Sequence, residues 1–191
     1  MGVPTVHLIV YNSNGCKDTM SKNIFIAPKP YAYMSFTDDC QYTPITFTNG
    51  STPGGGTISK YLWDFGNNRK SYNKNEVTAY ATYGNFPVQM VVYNSFGCSD
   101  TAKQNITIYP RAIANFDYSP TELLATDPVS FNNLSQLDDN WSWEFGDGFF
   151  NTNKFVTHAY DMYGKYNVTL ISSTQYGCAD TITREIYVKS S

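Results

Sequence analysis

The feature that most constrains this chain is its self-similarity. Laid against itself, the sequence repeats with a period of about 80 residues: Trp63 returns as Trp143, Gly84 as Gly164 and Cys98 as Cys178. Self-similarity at a fixed period marks modules strung in series, each one a structural unit. The N-terminal run TVHLIVYNSNGCKDTMSKNIFI falls in the same register on PVQMVVYNSFGCSDTAKQNITI, which sets Gly2 on Gly84 and Cys16 on Cys98. The expected organisation is the C-terminal hairpin of a truncated repeat at 1–28, a full repeat at 29–110 and a second at 111–191. Two strands alone are marginally stable in water, so the sheet completing the hairpin is expected in a longer native chain or in a neighbouring molecule.

Within each repeat, Phe86, Val88, Met90 and Val92, and again Tyr166, Val168 and Leu170, alternate with more polar residues and lead into Gly-containing turns. That period of two belongs to antiparallel strands with one buried face. Hydrophobic residues make up 41% of the chain against 15% charged, and the 16 Tyr and 12 Phe favour pleated strands over helices. The chain is therefore predicted to be all-β, each repeat a sandwich of about seven short strands in two packed sheets. The first repeat is expected to place them near 31–37, 44–49, 59–65, 68–72, 76–80, 86–94 and 100–109. The second is expected to place them near 112–118, 128–133, 140–145, 149–153, 155–160, 165–173 and 180–188. Pro110 closes the first repeat and Arg111-Ala112 opens the next, a linker too short for a flexible tether, so a semi-rigid rod is expected.

A net charge of −3 with no Lys/Arg cluster gives no surface to neutralise a phosphate backbone, so nucleic acid is not an expected partner. No apolar run approaches the roughly 20 residues that span a bilayer, so the chain is not expected to be membrane-spanning, and any export signal lies outside it.

At YLWDFGNN followed by TAYATYGNFPVQMVV, and at WSWEFGDG followed by THAYDMYGKYNVTLI, the chain resembles PKD domains. Their signature is a WDFGDG turn followed by a His-x-Tyr, Gly-x-Tyr-x-Val run. The first copy departs from it with Asn67-Asn68 and Thr78, the second with Glu144. The resemblance implies tandem immunoglobulin-like β-sandwiches with core and turn positions at Trp63, Gly66, Tyr80 and Gly84, and at Trp143, Gly146, Asp147, Gly148, Tyr160 and Gly164. The tryptophans suit a sandwich core, while Trp141, Tyr61 and surface tyrosines are better placed for ligand stacking. Asp147-Gly148 reads as a turn. The closing GCxDT run resembles the version of the module in very long secreted proteins of gliding bacteria, including surface adhesins, which implies a repetitive, exported cell-surface protein.

Asp64, Glu144 and Asp147 are oxygen donors but lack the spacing of a dedicated calcium loop, so no metal and no cofactor is expected. His7 and His158 are the only histidines; neither offers a nucleophile, base and orienter together, and no catalytic residue is assigned. The chain is expected not to be an enzyme.

Four cysteines in an exported all-β chain suggest disulfides. In such a sandwich Cys40, after the first strand, and Cys98, in the last hairpin, lie at opposite ends, roughly 17 to 20 Å apart. A disulfide tolerates only about 7 Å between Cα atoms. Head-to-tail stacking brings Cys40 towards Cys178, and that inter-module pairing is favoured; the rival is an irregular first strand folding Cys40 back to Cys98. Five Asn-x-Ser/Thr triplets are near what chance supplies in so Asn- and Thr-rich a chain. Asp-Thr pairs at Thr19, Thr101 and Thr181 resemble the Asp-Thr-aliphatic O-glycosylation motif of such bacteria; otherwise the Thr begins a strand and the Asp serves a turn.

The expected function is a non-catalytic repeat segment of a secreted cell-surface stalk or adhesin, a filament or spacer with a gliding-motility association, anchored at the outer membrane through regions outside this chain. Its partners would be neighbouring PKD-like repeats and a surface polysaccharide or protein ligand. The alternative is a carbohydrate-binding accessory module of a secreted hydrolase.

Overall fold

The computed structural model describes residues 3–190, and every element among them is a strand. β1 (Thr5–Tyr11) and β2 (Lys17–Asn23) form a two-stranded antiparallel hairpin. The first full repeat holds β3 (Met34–Ser35), β4 (Asp39–Cys40), β5 (Ile45–Asn49), β6 (Ile58–Asp64), β7 (Lys70–Ser71), β8 (Glu76–Thr78), β9 (Gly84–Asn94) and β10 (Ser99–Tyr109). The second holds β11 (Phe116–Ser119), β12 (Leu123–Leu124), β13 (Pro128–Asn133), β14 (Asn140–Glu144), β15 (Phe150–Asn151), β16 (Phe155–Ala159), β17 (Gly164–Ser173) and β18 (Ala179–Lys189). No helix among the described residues is long and apolar enough to cross a membrane.

Each repeat is a sandwich of a three-stranded and a five-stranded sheet, with matching orders: β3-β5-β8 against β4-β10-β9-β6-β7, and β11-β13-β16 against β12-β18-β17-β14-β15. The alternation in the sequence sets which side faces inward. Along β9, Val88, Met90 and Val92 are buried, and along β17, Val168 and Leu170, while their neighbours face out. Phe116, Phe131 and Val156 from one sheet meet Trp143, Val168, Leu170, Ile186 and Val188 from the other, which is why neither sheet can leave without exposing both.

The first strand of each repeat differs from the continuous segments expected at 31–37 and 112–118. It is cut in two and changes sheets. β3 pairs antiparallel with β5, after which β4 pairs parallel with the end of β10, Asp39 opposite Ile108 and Cys40 opposite Tyr109. The second repeat does the same, with Leu123 opposite Val188 and Leu124 opposite Lys189. The residues before the cut make only single bridges, Tyr31 with Thr52 and Ile113 with Gln136. A parallel pairing two residues long leaves no alternation to read.

Segments Asp38–Ile45 and Ala79–Asn85 belong to the same compact unit as the chain from Thr107 onward; Thr46–Thr78 and Phe86–Ile106 belong to the other.

Trp63 and Trp143 are fully buried, and each donates its indole N–H to a backbone carbonyl ten residues on, Asn73 at 3.1 Å and Asn153 at 3.0 Å. Large flat rings bury much area while the donor stays satisfied. Truncating Trp143→Ala is expected to lower stability by about 3–5 kcal/mol, read by urea denaturation. Tyr80 and Tyr160 are also buried, the latter donating its hydroxyl to the Phe145 carbonyl at 3.1 Å. Burial pushes the Tyr80 phenol up to about 12 from its ordinary 10.0, and raises Tyr160 as well, with Asp147 adding to the effect. The folded state therefore holds these protons after the unfolded chain releases them, so their contribution is intact below about pH 10 and is lost as pH rises towards 12. The thermal midpoint is expected to fall across that window, less steeply in Tyr80→Phe.

Candidate functional site

The structure joins Cys40 to Cys178, with sulfurs 2.01 Å apart and Cα atoms at 5.6 Å, across 138 residues of sequence. Cys40 is positioned by the sheet switch: β4 ends beside Tyr109, Gln41 N–H donates to the Tyr109 carbonyl and Tyr42 N–H to the Tyr80 carbonyl, both at 2.9 Å. Cys178 closes the β17–β18 turn, where its N–H donates to Thr174 Oγ1 at 3.2 Å and its carbonyl accepts from Thr174 and Ala112 N–H groups, each at 3.2 Å. Around the bridge, Tyr109 and Tyr176 stack at 4.1 Å, and Arg111 Nε donates to the Ala179 carbonyl at 2.8 Å while its guanidinium lies 3.7 Å from Asp180. The rival pairing is excluded by the fold. Cys98 directly precedes β10 and Cys40 pairs with its last residue, so an 11-residue strand, about 33 Å at strand rise, separates them. Cys16 and Cys98 carry free thiols.

The turn positions form two matched sets. Gly66 and Gly146 have φ of +74° and +83°, and a Cβ would stand 2.7 Å from the Pro87 carbonyl oxygen or 2.8 Å from that of Asn167. Both the backbone angle and the close approach demand glycine there. Gly148 turns at φ +93°, and Asn68 takes the same left-handed place in the first repeat at +67°, which Asn tolerates. Gly84 and Gly164 open β9 and β17. Asp147 Oδ1 accepts the Phe149 N–H at 3.2 Å, and its other oxygen lies 2.6 Å from His158 Nε2, with both side chains largely buried. In the first repeat Arg69 donates to Thr78 Oγ1 at 2.6 Å instead. Asp64 accepts the Gly66 N–H at 3.1 Å, and Glu144 lies exposed on β14. Among the described residues no three His, Cys, Asp or Glu side chains gather as a metal site. His7 lies exposed beside Ser21.

Thr19, Thr101 and Thr181 stand exposed near the starts of β2, β10 and β18. The Asp before each does structural work. Asp18 accepts the Thr19 N–H at 2.8 Å. Asp100 accepts the Ala32 N–H at 2.8 Å, pairs with Lys29 at 2.6 Å, and has its carboxyl held low by those two contacts in that order. Asp180 accepts the Ala114 N–H at 2.9 Å. Each such Asp in a full repeat therefore ties the closing hairpin to the segment that leads into the first strand, nearly 70 residues earlier. No local pattern marks Lys29 or Arg111 in the sequence; their shared place one period apart is the available signal.

The residues by the disulfide also form an open cleft of about 430 Å³, lined by Gln41, Tyr42, Tyr83, Arg111, Ile113 and Asp180 among others. Tyr42 and Tyr83 are exposed there. Trp141 is less free to stack, since its N–H donates to Asp138 and Lys154 Nζ sits 5.2 Å over its ring. Tyr61 is half-buried on β6. Closing a loop of 138 residues restricts the unfolded chain by about 5 kcal/mol in the chain-entropy account. The paired change Cys40→Ser with Cys178→Ser is expected to lose up to that amount in urea denaturation, and reductant is expected to destabilise the parent chain but not the variant.

The family model for the PKD domain matches residues 27–108 and 112–189. A pre-pro-metalloprotease, PrtV of Vibrio cholerae serotype O1, is 27% identical over 143 residues, which is 72% of this chain but only 15% of that protein. Among solved structures, the PKD1 domain of Vibrio anguillarum Epp is 22% identical with a TM-score of 0.42, over 44% of this chain and 99% of that one. The PKD1 domain of the Vibrio cholerae metalloprotease PrtV is 30% identical with a TM-score of 0.40, over 42% and 96%. With two successive matches that together cover most of its length, the chain belongs to the PKD domain family.

Proposed function

We propose that this chain is a non-catalytic repeat segment of a secreted cell-surface stalk or adhesin, a spacer outside the cell, anchored at the outer membrane through other regions and associated with gliding motility. One observation carries the reading: Cys40 of the first repeat is bonded to Cys178 of the second, so consecutive repeats are tied covalently as well as through the short Pro110-Arg111 linker. A tie of this kind suits an element that transmits load between other parts of a protein, and it persists in an oxidising exterior. Neighbouring repeats are its first partners, and a surface polysaccharide or protein would be engaged elsewhere in the parent.

A second reading, a carbohydrate-binding accessory module, is favoured by one feature, the exposed Tyr42 and Tyr83 in the cleft beside Arg111 and Asp180. Flat aromatic faces next to fixed polar groups suit sugar rings.

Pulling the chain by its ends in a force spectrometer tests the spacer. With the bridge intact, the 138-residue span is withheld from extension, and reductant is expected to add about 470 Å to the unfolded contour. The same preparation is expected to show no binding to a panel of soluble polysaccharides. Saturable binding abolished by Tyr42→Ala with Tyr83→Ala would move the assignment to the second reading.

A further inference from the structure

β1 and β2 reproduce β9 and β10 in sequence but not in surroundings. Val88, Met90, Val92, Ile106 and Ile108 are at most 1% exposed in their sandwich. Their counterparts one period earlier, Val6, Leu8, Val10, Ile24 and Ile26, are 50%, 60%, 52%, 43% and 65% exposed. A hairpin with this much apolar area on the side that its homologue buries is half of a core.

The same region presents a thiol in a matching place. Cys178 is bonded to a cysteine held alongside Tyr109, and Tyr176 on the same turn stacks on that tyrosine. One period earlier, Cys98 Sγ lies 3.9 Å from the carbonyl of Ala27, the counterpart of Tyr109, and Phe96 of the same turn packs edge-on against Phe25 at 5.4 Å. Asn94 on this turn donates to the Pro28 carbonyl at 2.8 Å, so the turn is fixed against the segment that follows β2. The Tyr109 carbonyl accepts the N–H of Gln41, directly after Cys40. Ala27 offers the corresponding carbonyl, with the free thiol of Cys98 beside it.

We propose that the β1–β2 face and Cys98 together form the docking and cross-linking site for a half-sandwich of the type built by residues 31–80, supplied by another repeat of the same protein. Its short parallel strand pairs along Ile26-Ala27 and sets its own cysteine against Cys98. Closing the bridge removes two thiol protons and two electrons, which an oxidant of the thiol–disulfide exchange class, itself a disulfide, accepts as it is reduced to thiols. The inference stands apart from the spacer reading: it concerns which residues are bonded, and either can fail alone.

The test is a chain carrying a second copy of residues 29–83 directly ahead of Gly2, oxidised in a thiol–disulfide buffer, alkylated and mapped without reduction. Cys98 is expected to be recovered bonded to the copied cysteine, leaving Cys16 as the one free thiol in place of the two, Cys16 and Cys98, of the present chain. Amide exchange over residues 5–26 is expected to slow. A companion chain with serine for the copied cysteine keeps docking separate from bonding and is expected to show the slowed exchange with Cys98 alkylated. Alkylated Cys98 in the cysteine-bearing chain, Cys98 bonded to Cys16 or to a second molecule's Cys98, or unchanged exchange in both chains overturns the proposal.

Discussion

The structure of each repeat depends on one tryptophan held between two sheets. Trp63 and Trp143 bury their whole surface, and the indole N–H ties the ring to the backbone of the following hairpin at Asn73 or Asn153. That single bond fixes where β7 and β8, or β15 and β16, can run, because a buried donor without a partner would cost far more than its bond contributes. Phe65 and Phe145 then lie nearly parallel to the tryptophans, with interplanar angles of 5° and 2°, and bring the glycine turns up against the neighbouring strand.

The parts of this arrangement that repeat at short range were legible in the sequence. The period, the tryptophans, and strands such as β9 and β17 each leave a pattern in consecutive residues, either an alternation or a Gly-bearing turn. What was not legible is what has no local pattern. β4 and β12 are two residues each, too short to alternate, so the change of sheet was hidden even though the order of the strands already put Cys40 at the end away from Cys98. The tie from Asp100 to Ala32, and from Asp180 to Ala114, spans nearly 70 residues and joins a carboxylate to a backbone N–H that any residue could supply. Only the comparison of one repeat with the other reveals it. The cleft by Tyr42 and Tyr83 has the same character, since its walls come from segments far apart in the chain.

The two repeats also show how much chemistry can change at one place without disturbing the frame. Where the second repeat pairs Asp147 with His158, the first has Arg69 donating to Thr78. Both pairs sit beside the turn that follows the core tryptophan, and both satisfy polar groups in a partly buried position. Thr78 and His158 hold the same place one period apart but find their partners at different positions, Arg69 in one repeat and Asp147 in the other, so hydrogen bonding is kept at this end of the fold while the charge changes.

Both five-stranded sheets end in strands only two residues long: β4 and β7 in the first repeat, β12 and β15 in the second. A long open edge invites another strand to add to it, and the hazard grows when near-identical sequences are tethered at millimolar effective concentration. Two residues give a foreign strand almost no ladder to join. Copying such a module in series by gene duplication therefore adds no long terminal strand to the five-stranded sheets, and to that extent lengthening by simple repetition is an accessible evolutionary route.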